Sequence, residues 1–144
     1  MSLKNIDMHT LITGTPTDTV SQAVERMLER RCGALVIMDG DRIVGIFTER
    51  DVLRRVVGAK LDPETTQLAD VMTTEVHTTV EDADPEEALV FMVRHDFRHL
   101  PVLDCSGRPT AIVSIRRIFK FYADNQRQLL DSLVSYMGAD GPGG

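Results

Sequence analysis

Thr48 and Asp51 are the pair of residues whose types and spacing point most directly to chemistry. Three positions apart at a helix start, their side chains lie on the same side of the first turn. A carboxylate there can accept two hydrogen bonds from a ribose diol. A threonine hydroxyl beside the open N–H groups of a helix start suits a phosphate. The same Ser/Thr-x-x-acid spacing also caps helices that bind nothing, so the pair is either a ligand site or a capping pair.

The chain contains two copies of one sequence pattern. Residues of the first copy recur 65 positions later, and the offset becomes 66 after one residue is inserted in the turn near Asp104. A single insertion that falls in a turn is what a duplicated domain is expected to show. The matching pairs are Ala23 and Ala88, Met27 and Met92, Leu35 and Leu100, Asp39 and Asp104, Arg42 and Arg108, Ile46 and Ile112, Thr48 and Ser114, and Arg50 and Arg116.

Each copy predicts a strand, a helix, two strands and a second helix. Thr19 with Gln22 three residues later resembles a capping box before the first helix, which Gly33 is expected to end. Residues 34–38 form a continuous apolar run, typical of a strand that is covered on both faces. In the second copy Asp84 precedes Pro85, which is a strong helix start.

This arrangement resembles a tandem pair of CBS domains, a family named after cystathionine β-synthase, over residues 11–122. Residues 45–51 match the family's Gly-apolar-x-Thr/Ser-x-x-Asp signature, and residues 98–104 match the strand that commonly follows the first helix. The resemblance implies an α+β fold with two β-α-β-β-α repeats, packed sheet to sheet about a pseudo-twofold axis. We expect repeat 1 at residues 1–58, a linker at 59–70, repeat 2 at 71–122, a C-terminal helix extension at 123–138 and a flexible tail at 139–144.

The resemblance also implies a cleft for an adenosine nucleotide, anchored by Asp51 and completed by the other repeat. Phe97 would lie against the adenine, near residues 80–83, whereas Arg98 and His99 would approach the phosphates or be ordinary strand-edge residues. The complete set of predicted ligand-binding residues is Thr48, Arg50, Asp51, Phe97, Arg98, His99, Ser114, Arg116 and Arg117.

The second copy departs from the signature, because Arg117 stands where the first copy has Asp51. An arginine has no acceptor for ribose hydroxyls, so one competent nucleotide site per chain is expected. The replacement resembles one repeat of the γ subunit of AMP-activated protein kinase, which lacks a usable ribose site. By that likeness Ser114, Arg116 and Arg117 would serve the phosphates of the remaining site. The alternative is that Arg116, Arg117 and Lys120 form a solvated helix face.

The last helix carries an apolar stripe that extends beyond the repeat. Such a stripe marks either an oligomer or partner contact, or a segment that folds back onto its own domain. The stripe consists of Leu129, Leu130, Leu133, Val134 and Met137.

Composition narrows the function classes. The net charge of −6 disfavours a nucleic-acid binder, and no apolar run approaches the ~20 residues of a membrane span. Cys32 and Cys105 belong to no metal or redox spacing, which suggests a reduced, cytoplasmic protein. No catalytic motif and no metal-binding histidine spacing is present, so an enzyme or a metal site is not expected.

The leading hypothesis is therefore a regulatory module that senses AMP, ADP, ATP or NAD. It would act as a homodimer and signal, through ligand-dependent packing of its repeats, to a regulated protein that the sequence does not identify. The alternative is a ligand-free interaction or scaffold protein that has the same fold.

Overall fold

The computed structural model describes residues 1–125 and 127–139. The protein divides into two compact units, one comprising residues 10–77 and the other comprising residues 1–9 together with the chain from Thr78 onward. The strands and helices are β1 (His9–Thr10), β2 (Thr13–Gly14), α1 (Val20–Arg30), β3 (Ala34–Asp39), β4 (Arg42–Thr48), α2 (Glu49–Asp51), α3 (Leu68–Val71), β5 (Thr79–Val80), α4 (Pro85–His95), β6 (His99–Leu103), β7 (Pro109–Ser114), α5 (Ile115–Asn125) and α6 (Arg127–Ala139).

The unit of residues 10–77 is built on a three-stranded sheet with the order β2-β3-β4. β2 runs parallel to β3, and β3 pairs antiparallel with β4, with Leu35 opposite Phe47. The side chains from Ala34 to Ile37 are all fully buried, which explains the uninterrupted apolar run. After α2 the chain continues as a wider π-helical turn, Val52–Val57, before the connector that leads to α3.

The second unit has a four-stranded sheet with the order β1-β7-β6-β5. β6 pairs antiparallel with β7, and β5 runs parallel to β6. Its core includes Leu3 and Ile6 from the start of the chain, so residues 1–9 pack with the second copy of the repeat. Residues 59–70, the connector between the two copies, lie within the unit of residues 10–77.

The helix starts follow the sequence signals, but one helix end does not. Thr19 and Gln22 form the predicted capping box of α1, and Asp84 caps α4, with Pro85 as the first helical residue. α1 ends at Arg30 because Arg31 adopts a left-handed conformation with φ of 51°, so the assignment of the stop to Gly33 is wrong. Asp96 ends α4 in the same way, with φ of 59°.

The C-terminal stripe folds back in part onto its own unit. Leu133 is 4% exposed and belongs to the core of the second unit, whereas Val134 is 54% exposed. The Arg94 Nε donates to the hydroxyl of Tyr136, and the guanidinium lies 5.4 Å from the centre of the Tyr136 ring. The side chains of Leu129 and Leu130, and residues 140–144 of the predicted tail, lie outside the described residues.

Candidate functional site

Thr48 and Asp51 form a complete capping box at the point where β4 ends and α2 begins. The Thr48 backbone N–H donates to Asp51 Oδ2 at 3.0 Å, and the Asp51 N–H donates to Thr48 Oγ1 at 3.3 Å. The Thr48 hydroxyl also lies 3.3 Å from Asp51 Oδ2. Thr48 and Asp51 therefore do cap the helix, and these hydrogen bonds hold the carboxylate against the helix start.

The carboxylate of Asp51 has two further partners within its own unit. The Thr73 hydroxyl donates to Oδ1 at 3.2 Å and lies 3.5 Å from Oδ2. The Arg55 Nε lies 3.6 Å from Oδ1, one helical turn further along the chain. Asp51 is only 7% exposed, so the site centres on a buried carboxylate held by hydroxyl, amide and guanidinium groups.

The segment Met72–Thr73 is fastened beside this carboxylate by several contacts. Thr73 and Ile46 exchange a pair of backbone hydrogen bonds, each of 2.9 Å. The Arg55 Nη1 donates to the Met72 carbonyl oxygen at 2.9 Å. A Cβ placed on Gly45 would lie 2.5 Å from Met72 Sδ and 3.2 Å from the Thr73 carbonyl oxygen. The glycine of the signature therefore allows this segment to approach β4 closely.

Sequence reasoning missed both Arg55 and Thr73. Arg55 follows Asp51 at i+4, which is the spacing of a helical ion pair and was therefore a readable signal. Thr73 is 22 residues from Asp51, and no local pattern in the sequence relates them.

Four of the predicted basic or polar residues lie together in the second unit, where β6 begins and β7 ends. His99 stands opposite Ser114 in the β6–β7 pairing, and the Ile115 N–H donates to the Arg98 carbonyl oxygen at 2.9 Å. The Arg117 N–H donates to Ser114 Oγ at 3.2 Å, so Ser114 caps α5 as Thr48 caps α2.

The remaining predicted residues occupy different positions. Phe97 follows α4, with its ring centre 6.3 Å from that of Phe91, and Arg116 is exposed on α5. Arg50 is half-buried in α2 of the unit of residues 10–77. The structure thus brings Thr48 together with Asp51 in one unit, and it brings Arg98, His99, Ser114 and Arg117 together in the other.

The Arg117 side chain binds the start of the chain within its own unit. Its Nη1 lies 2.6 Å from Asp7 Oδ2 and 3.4 Å from the Asp7 carbonyl oxygen. His9 is close by, and its pKa is lowered by burial and then by the Arg117 charge, against an opposing effect of Asp7. The position equivalent to Asp51 therefore holds a cation that is paired with Asp7.

The described residues contain neither a metal-binding cluster nor a membrane-spanning helix. Within the described ranges, no three His, Cys, Asp or Glu side chains form a group that could hold a metal ion. Among the helices of residues 1–125 and 127–139, none has both the length and the hydrophobicity to cross a bilayer.

Comparison with known proteins identifies the repeated unit. The CBS domain family model matches residues 3–58 and 68–124. An uncharacterized 17.7 kDa protein of Acidianus ambivalens is 36% identical over 117 residues, which cover 81% of this chain and 65% of that protein. A CBS domain-containing protein of Arabidopsis thaliana is 39% identical over 101 residues, which cover 70% of this chain but only 19% of that protein. The chain thus spans less than two thirds of the length of either relative.

Solved structures share the same fold. A putative signal-transduction protein with CBS domains from Burkholderia ambifaria has a TM-score of 0.80 and 32% identity, over 88% of this chain and 97% of that one. A Pyrobaculum aerophilum CBS domain protein complexed with AMP has a TM-score of 0.76 and 22% identity, over 94% and 99%. A CBS domain pair in complex with 5′-methylthioadenosine and S-adenosyl-L-methionine has a TM-score of 0.77 and 22% identity, over 88% and 98%.

The two family matches coincide with the two copies of the repeat, and the fold of the chain is the mixed α and β architecture of these structures. The chain belongs to the CBS-domain family and is a CBS-domain pair.

Proposed function

We propose that this chain is a regulatory module that binds an adenine nucleotide through Asp51 and catalyses no reaction. The observation that carries the proposal is the burial of that carboxylate. Capping alone does not need a buried charge, because the equivalent box in α1 uses Gln22, an exposed neutral side chain. A buried carboxylate is costly unless it is paired and hydrogen-bonded, so a buried charge where a neutral side chain could cap the helix supports a role beyond the cap.

The chemistry of the site supports ribose as the group that is recognised. A carboxylate accepts hydrogen bonds from both hydroxyls of a cis-diol, and such charge-assisted bonds are roughly twice as strong as neutral ones. The fold neighbours that were solved with AMP, or with 5′-methylthioadenosine and S-adenosyl-L-methionine, all held an adenosine group. Our proposed ligands for this chain are AMP, ADP, ATP and NAD.

Several residues of the second unit also have predicted roles in nucleotide binding. The roles assigned to Phe97, Arg98, His99 and Arg116 remain predictions from the family resemblance, and so does a phosphate-binding role for Arg117. A phosphate would compete with Asp7 for the Arg117 guanidinium, because that guanidinium pairs with Asp7 in this structure.

The proposed output is a change in packing that a partner protein reads. A ligand can shift such an equilibrium only if it binds one arrangement more tightly than the other. A homodimer is part of this proposal, with the exposed Val134 as a residue available for contact.

A calorimetric binding panel tests the proposal with AMP, ADP, ATP, NAD and S-adenosyl-L-methionine. We expect wild type to bind at least one of the first four, and Asp51→Ala to weaken that binding at least about 10-fold, because each charge-assisted hydrogen bond to a ribose hydroxyl is worth about 1.5–3 kcal/mol. Gln22→Ala is the matched control, because it breaks a capping box of the same kind in α1. It should bind as wild type does.

Two results would contradict the proposal. If Asp51→Ala binds the nucleotide as tightly as wild type does, the ligand binds at a different site. If nucleotide-free wild type binds none of the compounds, the proposal that the chain binds a nucleotide is refuted. Chromatography of the recovered nucleotide adds the test of catalysis, because an unchanged nucleotide is expected from a sensor and a converted one from an enzyme.

One observation favours the scaffold alternative. The Asp51 carboxylate is already hydrogen-bonded by Thr48 and Thr73, so the chain itself satisfies it. Under that alternative Asp51→Ala would lower stability, as loss of a helix cap does by about 1 kcal/mol, and would leave every nucleotide equally unbound.

A further inference from the structure

The hydrogen-bonding capacity of Asp51 limits how a ribose can reach it. A carboxylate offers about four lone-pair positions. Oδ2 receives the Thr48 amide and lies 3.3 Å from the Thr48 hydroxyl, while Oδ1 receives the Thr73 hydroxyl and faces the Arg55 guanidinium. A ribose diol brings two more donors to a side chain that is already buried. Three hydrogen-bond donors already occupy three of these positions, the Thr48 amide, the Thr48 hydroxyl and the Thr73 hydroxyl, so at least one of them must leave before both ribose hydroxyls can bind.

Thr73 is the partner that can leave most easily. Its hydroxyl lies 3.2 and 3.5 Å from the two carboxylate oxygens, well beyond the usual 2.7–2.8 Å of an O–H···O bond. The Thr48 amide, at 3.0 Å, belongs to the helix cap. Arg55 carries a full charge and also binds the Met72 carbonyl oxygen, so its position is set by two groups. A ribose hydroxyl would replace the Thr73 hydroxyl with a group of the same kind.

Displacement of Thr73 would change more than a side chain. Thr73 belongs to the segment Met72–Thr73, which two backbone hydrogen bonds with Ile46 and the Arg55 contact hold beside the carboxylate. This segment lies directly after α3, at the end of the connector between the two copies of the repeat. Loss of the Thr73 hydroxyl contact removes the direct hydrogen bonding of this segment to the two oxygens of Asp51.

We propose, on the basis of the proposed function, that Thr73 couples nucleotide occupancy to this segment. Ribose hydroxyls replace the Thr73 hydroxyl on Asp51, and the segment Met72–Thr73 is then held less firmly. Coupling of this kind is reciprocal, so whatever removes the Thr73 contact beforehand must strengthen nucleotide binding.

Binding of AMP to Thr73→Val tests this reciprocity, because valine keeps the β-branched shape and lacks the hydroxyl. We expect Thr73→Val to bind AMP about five- to tenfold more tightly than wild type, the factor that one ordinary hydrogen bond represents. Thr73→Ser, which restores a hydroxyl, should return the affinity towards the wild-type value. Thr74→Val is the matched control at the exposed neighbouring position and should leave the affinity unchanged.

Amide hydrogen exchange is a second test, because AMP would not speed exchange in this segment if Thr73 had only a structural role. The amides of Thr73 and Ile46 are bonded to each other's carbonyl groups, so their exchange reports whether the segment is attached. Saturation of wild type with AMP should speed exchange at both amides about fivefold, while amides of the β3–β4 core slow or stay constant.

The outcomes separate this inference from the proposed function. If wild type binds AMP but Thr73→Val binds it equally or more weakly, or if AMP slows exchange at both amides, Thr73 is not displaced and the coupling is refuted. The nucleotide function then stands. If wild type binds none of the panel, both the proposed function and the coupling fail.

Discussion

Substitution of Gly45 by alanine tests the close approach on which the geometry around Asp51 depends. The added Cβ would lie 2.5 Å from Met72 Sδ, 2.9 Å from Met72 Cγ and 3.2 Å from the Thr73 carbonyl oxygen. Carbon contacts are normally about 3.5–4.0 Å, so something must move. The Met72 side chain can rotate away, but the Thr73 carbonyl is held by the Ile46 N–H. Overpacking of this kind typically destabilises a protein by about 1–3 kcal/mol.

We therefore expect Gly45→Ala to lower the free energy of unfolding by about 2 kcal/mol, within the range for overpacking. For a chain of this size, the Tm should fall by about 4–8 °C. Urea unfolding followed by circular dichroism measures the change. Gly138→Ala is the control, because among the described residues no atom beyond its chain neighbours and its own helix backbone lies within 4 Å of the added Cβ. It should be neutral or stabilising by up to about 1 kcal/mol.

A double-mutant cycle locates the clash. Combining Gly45→Ala with Met72→Ala removes the nearest atoms, and the two changes should together cost less than the sum of their separate effects. If Gly45→Ala is within about 0.5 kcal/mol of wild type, as an ordinary surface substitution would be, the packing of the segment on Gly45 is refuted.

Three further predictions concern the second unit. Leu133→Ala should lower the free energy of unfolding by about 2–5 kcal/mol, because its side chain is in the core. Val134→Ala, at an exposed position, should change it by no more than about 0.5 kcal/mol. Equal effects of the two variants in urea unfolding would contradict the folding back of α6. Asp7→Ala should cost less than about 1 kcal/mol in the same assay, because its ion pair is exposed to water, and a larger loss would show that the pair carries part of the fold. Burial, reinforced by the carboxylates of Asp84 and Glu86 at the start of α4, raises the pKa of Tyr122 to about 12 from 10.0, so its contribution to stability is full below pH 10 and is lost as the pH rises through 12. Ultraviolet titration of Tyr136→Phe, which leaves Tyr122 as the one tyrosine of the chain, should show phenolate forming near pH 12, and ionisation near pH 10 in the folded state would contradict it.

Much of the fold was predictable because its signals are local. The apolar run at residues 34–38, the capping box at Thr19 and the Asp84-Pro85 helix start each depend on neighbouring residues, and the structure confirms each of them. The placement of Thr48 and Asp51 at one helix start followed from their spacing in the same way.

Other features depend on conformation or on distant contacts. The end of α1 was misassigned because Arg31, a residue with no special preference, adopts the left-handed conformation that usually favours glycine. The partnership of Thr73 with Asp51 depends on the tertiary path of the connector, to which no spacing rule applies.

The burial of residues at the start of the chain could have been predicted from the repeat. The repeat offset of 65 relates Leu3 and Ile6 to Leu68 and Val71, and all four side chains are buried. Extending the repeat to the start of the chain would have predicted a packed leading segment in both copies. Which unit each segment joins is a tertiary fact that the pattern does not contain.

The central claim, that the Asp51 carboxylate recognises a ribose diol, is tested most directly by comparing AMP with its 2′,3′-dideoxy analogue. Isothermal titration calorimetry of both ligands with wild type and with Asp51→Ala gives four binding free energies. Together they form a thermodynamic cycle that measures the coupling between the Asp51 side chain and the two ribose hydroxyls. Our account predicts that wild type binds AMP at least about tenfold more tightly than the analogue, since each charge-assisted hydrogen bond is worth about 1.5–3 kcal/mol. Asp51→Ala should bind the two ligands equally. Equal affinity of wild type for AMP and the dideoxy analogue would contradict the account.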